Sequence, residues 1–212
     1  KTLSDETEIN GSGPKISNEE IEKLYQKLDG LTSEDTLVLA GSIPASLPDD
    51  FYEQIMKYVA PKQVKVIVDA TKNLLLNVLK YQPFLIKPNH HEIAEMFNVT
   101  ISSTEDLLHY GNQLKEMGAQ NVLISMGGDG AILISETGEI YRSNVPKGTV
   151  KNSVGAGDSM VAGFIAGYQK DASYEEALRL GAASGSATAF SSDVATRGYI
   201  DELVSEINVT KL

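Results

Sequence analysis

Four stretches of the chain combine residue types that bind anions or move protons. In NSVGAGDSMVAGFIAGY (152–168), Gly155, Ala156 and Gly157 run into Asp158, and an apolar helical pattern follows. Residues this small let backbone N–H groups approach a ligand closely. The start of a helix favours a bound anion. Asp158 at that start is either a cap in a tight turn or a base that takes a proton from an attacking hydroxyl. In KPNHHE (87–92), Lys87 precedes Asn89, and Glu92 follows three residues later. From spacing alone, Glu92 is an acidic residue in a first helical turn. His90 and His91 are adjacent, but HEIAE lacks the H-E-x-x-H spacing of a zinc protease, so both are expected to be structural or solvated. SMGGDG (125–130) supplies Ser125, Gly127, Gly128 and Gly130. No Gly-Lys-Ser/Thr follows and G-x-G-x-x-G is absent, so it is neither a P-loop nor a dinucleotide fingerprint. AGSIP (40–44) places Gly41 and Ser42 either in a capping turn or beside a ligand.

The elements that must position these residues are legible from periodicity. A helical face begins near Ile16. Strands are expected at TLVLA (36–40), VKVIVDA (64–70), FLIKPN (84–89) and NVLISMGG (121–128), with helices at 49–60, 73–80 and 103–118 between them. AILIS, ETG and EIYRS (131–143) read as a hairpin, and the last third as helical. Alternating strand and helix implies βαβ units and a parallel sheet covered on both faces. All four polar or glycine-rich stretches fall at strand ends or helix starts, where open parallel sheets bind ligands.

Composition narrows the classes. The chain has 212 residues, 42% hydrophobic, with 18 basic and 29 acidic residues and a net charge of −11. That balance argues against a nucleic-acid partner, which needs clustered Lys and Arg. There are no cysteines, which excludes disulfides and thiolate metal sites and points to a cytoplasmic protein. No apolar run approaches the roughly 18 residues of a membrane span.

NSVGAGDSMVAGFI resembles the C-terminal signature of the ribokinase-like sugar kinases, in the phosphofructokinase-B branch, and FLIKPNHHE and ISMGGDGA resemble that branch's other two nucleotide-side motifs in the same order. AGSIPASLP and ATAFSSDVATR are most similar to the bacterial 1-phosphofructokinases, with tagatose-6-phosphate kinases as near relatives. The resemblance implies a three-layer α/β fold, with a parallel sheet between helices. It implies ATP-dependent phosphorylation of a sugar phosphate, fructose 1-phosphate to fructose 1,6-bisphosphate, with tagatose 6-phosphate as the alternative acceptor. It makes Asp158 the catalytic base and gives Gly155, Ala156 and Gly157 the transferred phosphoryl group. Asn89 and Glu92 would organise Mg²⁺, largely through water. Lys87, Asn89, Ser125, Gly127, Gly128, Gly130 and Gly157 would face ATP, and Gly41, Ser42 and Asp158 the sugar phosphate. Asn152, Val154, Thr188 and Ser191 occupy the places where some members bind a monovalent cation such as K⁺. The small-residue run GAASGSATA (181–189) reads as a tightly packed helix that flanks adenine in the family.

By the same resemblance, residues 1–15 are the remnant of a lid strand and connector, and 16–212 the nucleotide-binding and catalytic α/β domain. The sugar-side strands and lid of the family are expected upstream of Lys1, and the intact protein is expected to dimerise through that lid. These 212 residues alone are then expected to bind nucleotide weakly, with negligible turnover. A reading from another class is a nucleotide-binding module that keeps the fold without catalysis.

Overall fold

The computed structural model describes residues 13–212. The lid-strand remnant expected over residues 1–10 lies outside the described residues. Helix α1 (Asn18–Asp29) opens with a capping box. The Ser17 hydroxyl accepts from Glu20 N–H, and the Glu20 carboxylate accepts from Ser17 N–H. Strand β1 (Thr36–Ala40) follows, then α2 (Phe51–Val59), β2 (Lys65–Asp69), α3 (Lys72–Val78), β3 (Leu85–Ile86), α4 (His90–Phe97), α5 (Thr104–Glu116) and β4 (Asn121–Ser125). The hairpin is β5 (Ala131–Ile134) and β6 (Ile140–Ser143). Helices α6 (Ala156–Asp171), α7 (Tyr174–Ala189) and α8 (Arg197–Val204) come next, and β7 (Val209–Lys211) closes the order.

The seven strands lie in sequence order across one sheet. The pairs from β1 to β4 are parallel, and those from β4 to β7 are antiparallel. Alternate residues of each strand serve two cores. Val66, Val68, Ile86, Val122 and Ile124 pack with α1 to α5 on one face. Ile67, Leu85, Leu123 and Leu133 pack with Val161 and Phe164 of α6 and Ala177 and Leu178 of α7 on the other. Phe164 is fully buried, and truncating such a side chain to alanine typically costs about 3–5 kcal/mol. The three-layer α/β expectation is met.

Two local expectations are corrected. FLIKPN forms only the two-residue β3, because Lys87 and Pro88 leave the ladder and Asn89 returns as a single bridge to Ser125. Pro88 has no N–H to donate to a ladder. The C-terminal third is not wholly helical. Residues 209–211 add β7 to β6, with Ser143 opposite Val209. This edge strand is short and carries polar residues that face solvent, so no apolar run marks it in the sequence.

Candidate active site

The carboxyl ends of β1 to β4 stand side by side, and the residues just beyond them form a row. Gly41 N–H donates to the Asp69 carbonyl at 3.0 Å, and Lys87 N–H donates to the Val68 carbonyl at 3.3 Å. Ser125 N–H donates to the Pro88 carbonyl at 3.1 Å. Gly41, Asp69, Lys87 and Ser125 therefore follow one another across the top of the sheet.

Lys87 is the buried centre of this row. Its side chain is 8% exposed, and its Nζ lies 3.2 Å from Asp69 Oδ1, whose own side chain is 17% exposed. Burial pushes the Asp69 carboxyl above its ordinary range. Lys87 opposes that shift, and the like charges of Asp158 and Glu92 add to it. Three carboxylates from β2, α4 and α6 thus share one field around a single ammonium. The sequence reading missed Asp69. Its signal was an acidic residue ending the apolar strand VKVIVDA, at the edge where the other motifs lie.

Helix α6 brings its first turn down onto Lys87. A Cβ on Gly157 would sit 3.1 Å from Lys87 Nζ, so glycine lets the helix start approach the ammonium. Gly155, the N-cap, has φ +79°, and no side chain caps the helix. Ala156 N–H is already committed to the Ser153 carbonyl at 3.1 Å. The N–H groups of Gly155, Gly157 and Asp158 make no hydrogen bond among the described residues. They are the donors left for an anion. Asp158 is exposed on the same turn.

A cleft of about 240 Å³ opens beside this turn, lined by Gly127, Gly128, Ala156, Gly157, Gly185 and Phe190 among others. Gly130 turns the chain into β5 with φ +89°, and a Cβ there would lie 2.0 Å from the Ser143 carbonyl oxygen. Ser125 and Gly130 line the cleft as well. A larger cavity of about 470 Å³ lies at the opposite end of the strands, near Lys65, Gln82 and Gln120. None of the residues singled out from the sequence lines it.

Asn89 and Glu92 turn out to cap α4. Asn89 Oδ1 accepts from Glu92 N–H, and Glu92 Oε2 accepts from Asn89 N–H, both at 2.8 Å. Glu92 Oε1 makes no hydrogen bond among the described residues, so one carboxylate oxygen stays available. The rings of His90 and His91 lie 3.9 Å apart, and His90 Nδ1 is 3.4 Å from the Ser125 carbonyl. Among the described residues no group of three or more His, Cys, Asp or Glu side chains could hold a metal directly.

The four residues expected near a monovalent cation do not all converge through their side chains. Asn152 Oδ1 accepts from Val154 N–H at 3.0 Å, and Ser191 Oγ donates to the Ala187 carbonyl at 2.8 Å. The Thr188 hydroxyl donates to Ser159 Oγ and accepts from Ala195 N–H. What joins them is backbone: the Ala189 carbonyl accepts from both Lys151 and Asn152 N–H. On the sugar side, Gly41 and Ser42 sit at the far end of the row from the cleft. The Tyr52 hydroxyl lies 2.7 Å from the Ala40 carbonyl and 3.2 Å from that of Gly41. No helix among the described residues is long and apolar enough to cross a membrane.

Comparison with known proteins adds a second line of evidence. Residues 1–198 match the pfkB family carbohydrate kinase description. A 1-phosphofructokinase of Bacillus subtilis (strain 168) is 49% identical over 98% of this chain and 68% of its own length. A D-tagatose-1-phosphate kinase of Bacillus licheniformis is 36% identical, again over 98% of this chain and 68% of its own length. A Staphylococcus aureus protein described as a phosphofructokinase superposes with a TM-score of 0.90 at 44% identity, covering 99% of this chain and 68% of that one. The chain thus spans about two thirds of the length of these relatives.

Proposed function

This chain belongs to the pfkB family of carbohydrate kinases, and on that premise we propose that the protein transfers a phosphoryl group from ATP to fructose 1-phosphate, giving fructose 1,6-bisphosphate. The observation that carries this reading is the meeting of Asp158, the open amides of α6 and the Lys87–Asp69 pair beside one cleft. Phosphoryl transfer needs few covalent partners from the protein. It depends on positioning and on charge stabilisation.

Asp158 takes the proton of the accepting hydroxyl. The N–H groups of Gly155 and Gly157 hold the equatorial oxygens of the transferred group, and Lys87 adds fixed positive charge beneath Gly157. Ala156 shapes the turn rather than donating, because its amide is used within it. The nucleotide lies in the cleft along Ser125, Gly127, Gly128 and Gly130. Gly41 and Ser42 lie on the acceptor side of the row.

The donors suit Mg²⁺ held through water. Glu92 Oε1 is open, Asp69 is a second hard oxygen donor, and no direct three-ligand cage exists among the described residues. Asn89 fixes the Glu92 carboxylate through the cap, and Mg²⁺ when bound neutralises the charge of the phosphates. A monovalent cation beside residues 152–154 and 188–191 would use backbone carbonyls, given how the side chains are engaged. The intact protein is proposed to be a cytoplasmic homodimer.

A second acceptor is favoured by the Bacillus licheniformis relative, whose name specifies D-tagatose 1-phosphate. That is a 1-phosphate, unlike the tagatose 6-phosphate suggested by the sequence motifs. The deciding experiment is a coupled ADP-release assay on the intact protein with the two 1-phosphates in competition. Preference for fructose 1-phosphate supports the proposal, preference for tagatose 1-phosphate replaces the acceptor, and no turnover with either overturns it.

A further inference from the structure

At the same end of the sheet as the α6 cleft, but on the opposite face, lies a second cavity of about 320 Å³. Its polar lining comes from four elements: His90 at the start of α4, Ser102, Ser103 and Thr104 around the start of α5, Asp129 in the β4–β5 turn and Arg142 on β6. Arg142 pairs across the ladder with Ile132, which belongs to the core under α1 to α5, so it projects on that face. Arg142 is half-buried, and its one side-chain hydrogen bond among the described residues is a long one, 3.4 Å from Nη1 to Thr104 Oγ1. No carboxylate among the described residues pairs with it, in a chain of net charge −11.

The remaining groups divide into donors and acceptors. Arg142 keeps most of its five N–H donors. Thr104 accepts from Arg142, and its own proton has no acceptor among the described residues. His90 Nδ1 lies 3.4 Å from the Ser125 carbonyl, which can only accept, and in the neutral tautomer that donates there Nε2 is left to accept. The Asp129 carboxylate has no hydrogen-bond partner among the described residues. At the start of α5 the Ser103 hydroxyl accepts from Asp106 N–H, and the Asp106 carboxylate accepts from the N–H groups of Ser102 and Ser103 and from the Ser102 hydroxyl.

We propose that this cavity binds a hydroxylated phosphate monoester, a sugar phosphate, at a site separate from the α6 cleft. Arg142 and Thr104 hold the phosphate, as an unpaired guanidinium fork suits a phosphate bidentately. Asp129 and His90 Nε2 accept from the ligand's hydroxyls. A bare anion would leave Asp129 facing like charge, and an apolar ligand would leave the guanidinium unsatisfied.

The site is also wired to the cleft by one short turn. Met126 and Asp129 line the second cavity, while Gly127, Gly128 and Gly130 line the cleft. The turn is closed by Met126 N–H to the Gly130 carbonyl and Asp129 N–H to the Met126 carbonyl. A ligand held by Asp129 on one face therefore restrains the glycines on the other. Its affinity and that of the nucleotide must be linked reciprocally.

The test is calorimetry on the intact protein with glucose 6-phosphate, inorganic phosphate and glucose as probes, with and without ATP·Mg²⁺. We expect glucose 6-phosphate to bind more tightly than inorganic phosphate, glucose not to bind, and ATP·Mg²⁺ to change the glucose 6-phosphate affinity. Arg142→Gln should weaken glucose 6-phosphate binding at least tenfold, and Thr104→Val severalfold, while Asp158→Asn should leave it unchanged. Binding that survives both cavity substitutions, or that is lost in Asp158→Asn, places the ligand in the α6 cleft and overturns the proposal. Equal affinity for phosphate and glucose 6-phosphate overturns the roles of Asp129 and His90. None of these readouts requires turnover, so failure here is distinct from failure of the kinase reading.

Discussion

Replacing Lys87 with methionine isolates the buried centre of the site. The substitution keeps the length of the stem and removes the ammonium from beside Asp69, 3.2 Å away. Asp69 is then a largely buried carboxylate without its cation. Breaking a buried pair from one side typically costs about 3–5 kcal/mol. For a domain of this size that corresponds to a fall in Tm of about 10 °C. The pH dependence carries a sign. Asp69 already has a folded-state pKa above its unfolded value, because burial outweighs Lys87. The folded protein therefore holds that proton more tightly, and ionising Asp69 subtracts stability as pH rises from about 3.9 through the raised folded value. Removing Lys87 lifts the folded value further and widens that window. The loss should be larger near about pH 8 than near about pH 5, because protonation relieves the orphaned carboxyl as pH falls through its raised value. Urea unfolding followed by circular dichroism at the two pH values measures it, and adding Asp69→Asn should restore most of the loss at the higher pH. A penalty below about 1 kcal/mol, or one equal at both pH values, would refute the reasoning that Lys87 is what makes Asp69 tolerable there.

Three further substitutions test the site. Asp158→Asn should lower kcat by about 10²–10⁴-fold with ATP binding retained by calorimetry; a value within about threefold of the starting protein reduces Asp158 to a helix residue. Glu92→Gln can still accept from Asn89 N–H, so the melting temperature should hold while the Mg²⁺ concentration for half-maximal rate rises; an unchanged Mg²⁺ titration removes Glu92 from the metal's surroundings. Gly130→Ala forces a Cβ to within 2.0 Å of the Ser143 carbonyl at φ +89°, and should destabilise the protein by about 2–4 kcal/mol in thermal unfolding; a shift of less than about 1 kcal/mol means the turn relaxes freely.

The elements that could be read from the sequence are those with local signals. The caps of α1 and α5 are written in Ser17 with Glu20 and Ser103 with Asp106. Strands β4 and β5 are written in apolar runs separated by a glycine turn. The candidate site was legible where glycine and acid sit next to each other, as at Gly155 to Asp158. What escaped was decided either by contacts distant along the chain or by a local bond that the residue types alone do not announce. Asp69 looks like an ordinary strand terminus until Lys87 arrives from the next strand. The family resemblance set Asn89 and Glu92 beside a metal, whereas their spacing, read alone as an ordinary first helical turn, forms a capping box. Ala156 reads as an open donor, but the turn bonds its amide to Ser153. Strand β7 lacks any apolar pattern and exists because β6 offers an unpaired edge.

That last strand governs the order in which the site is assembled. From β1 to β6, each strand pairs with its immediate predecessor across either a tight turn or a crossover of at most two helices, so each of these closures spans less chain than the final one. The chain then leaves the sheet at Ser143, forms α6, α7 and α8, and re-enters only where Val209 pairs back with Ser143. All of α6, with Gly155 to Asp158 at its head, lies within that one long excursion. The floor of the site, Asp69, Lys87 and Ser125, rests on pairings made early and locally, whereas its roof is docked by a closure that spans the whole helical layer. Native-state hydrogen exchange should therefore show the roof opening as a unit at lower free energy than β2 to β4. A kinase built this way can lose its proton acceptor and anion donors together, reversibly, while the sheet beneath stays folded.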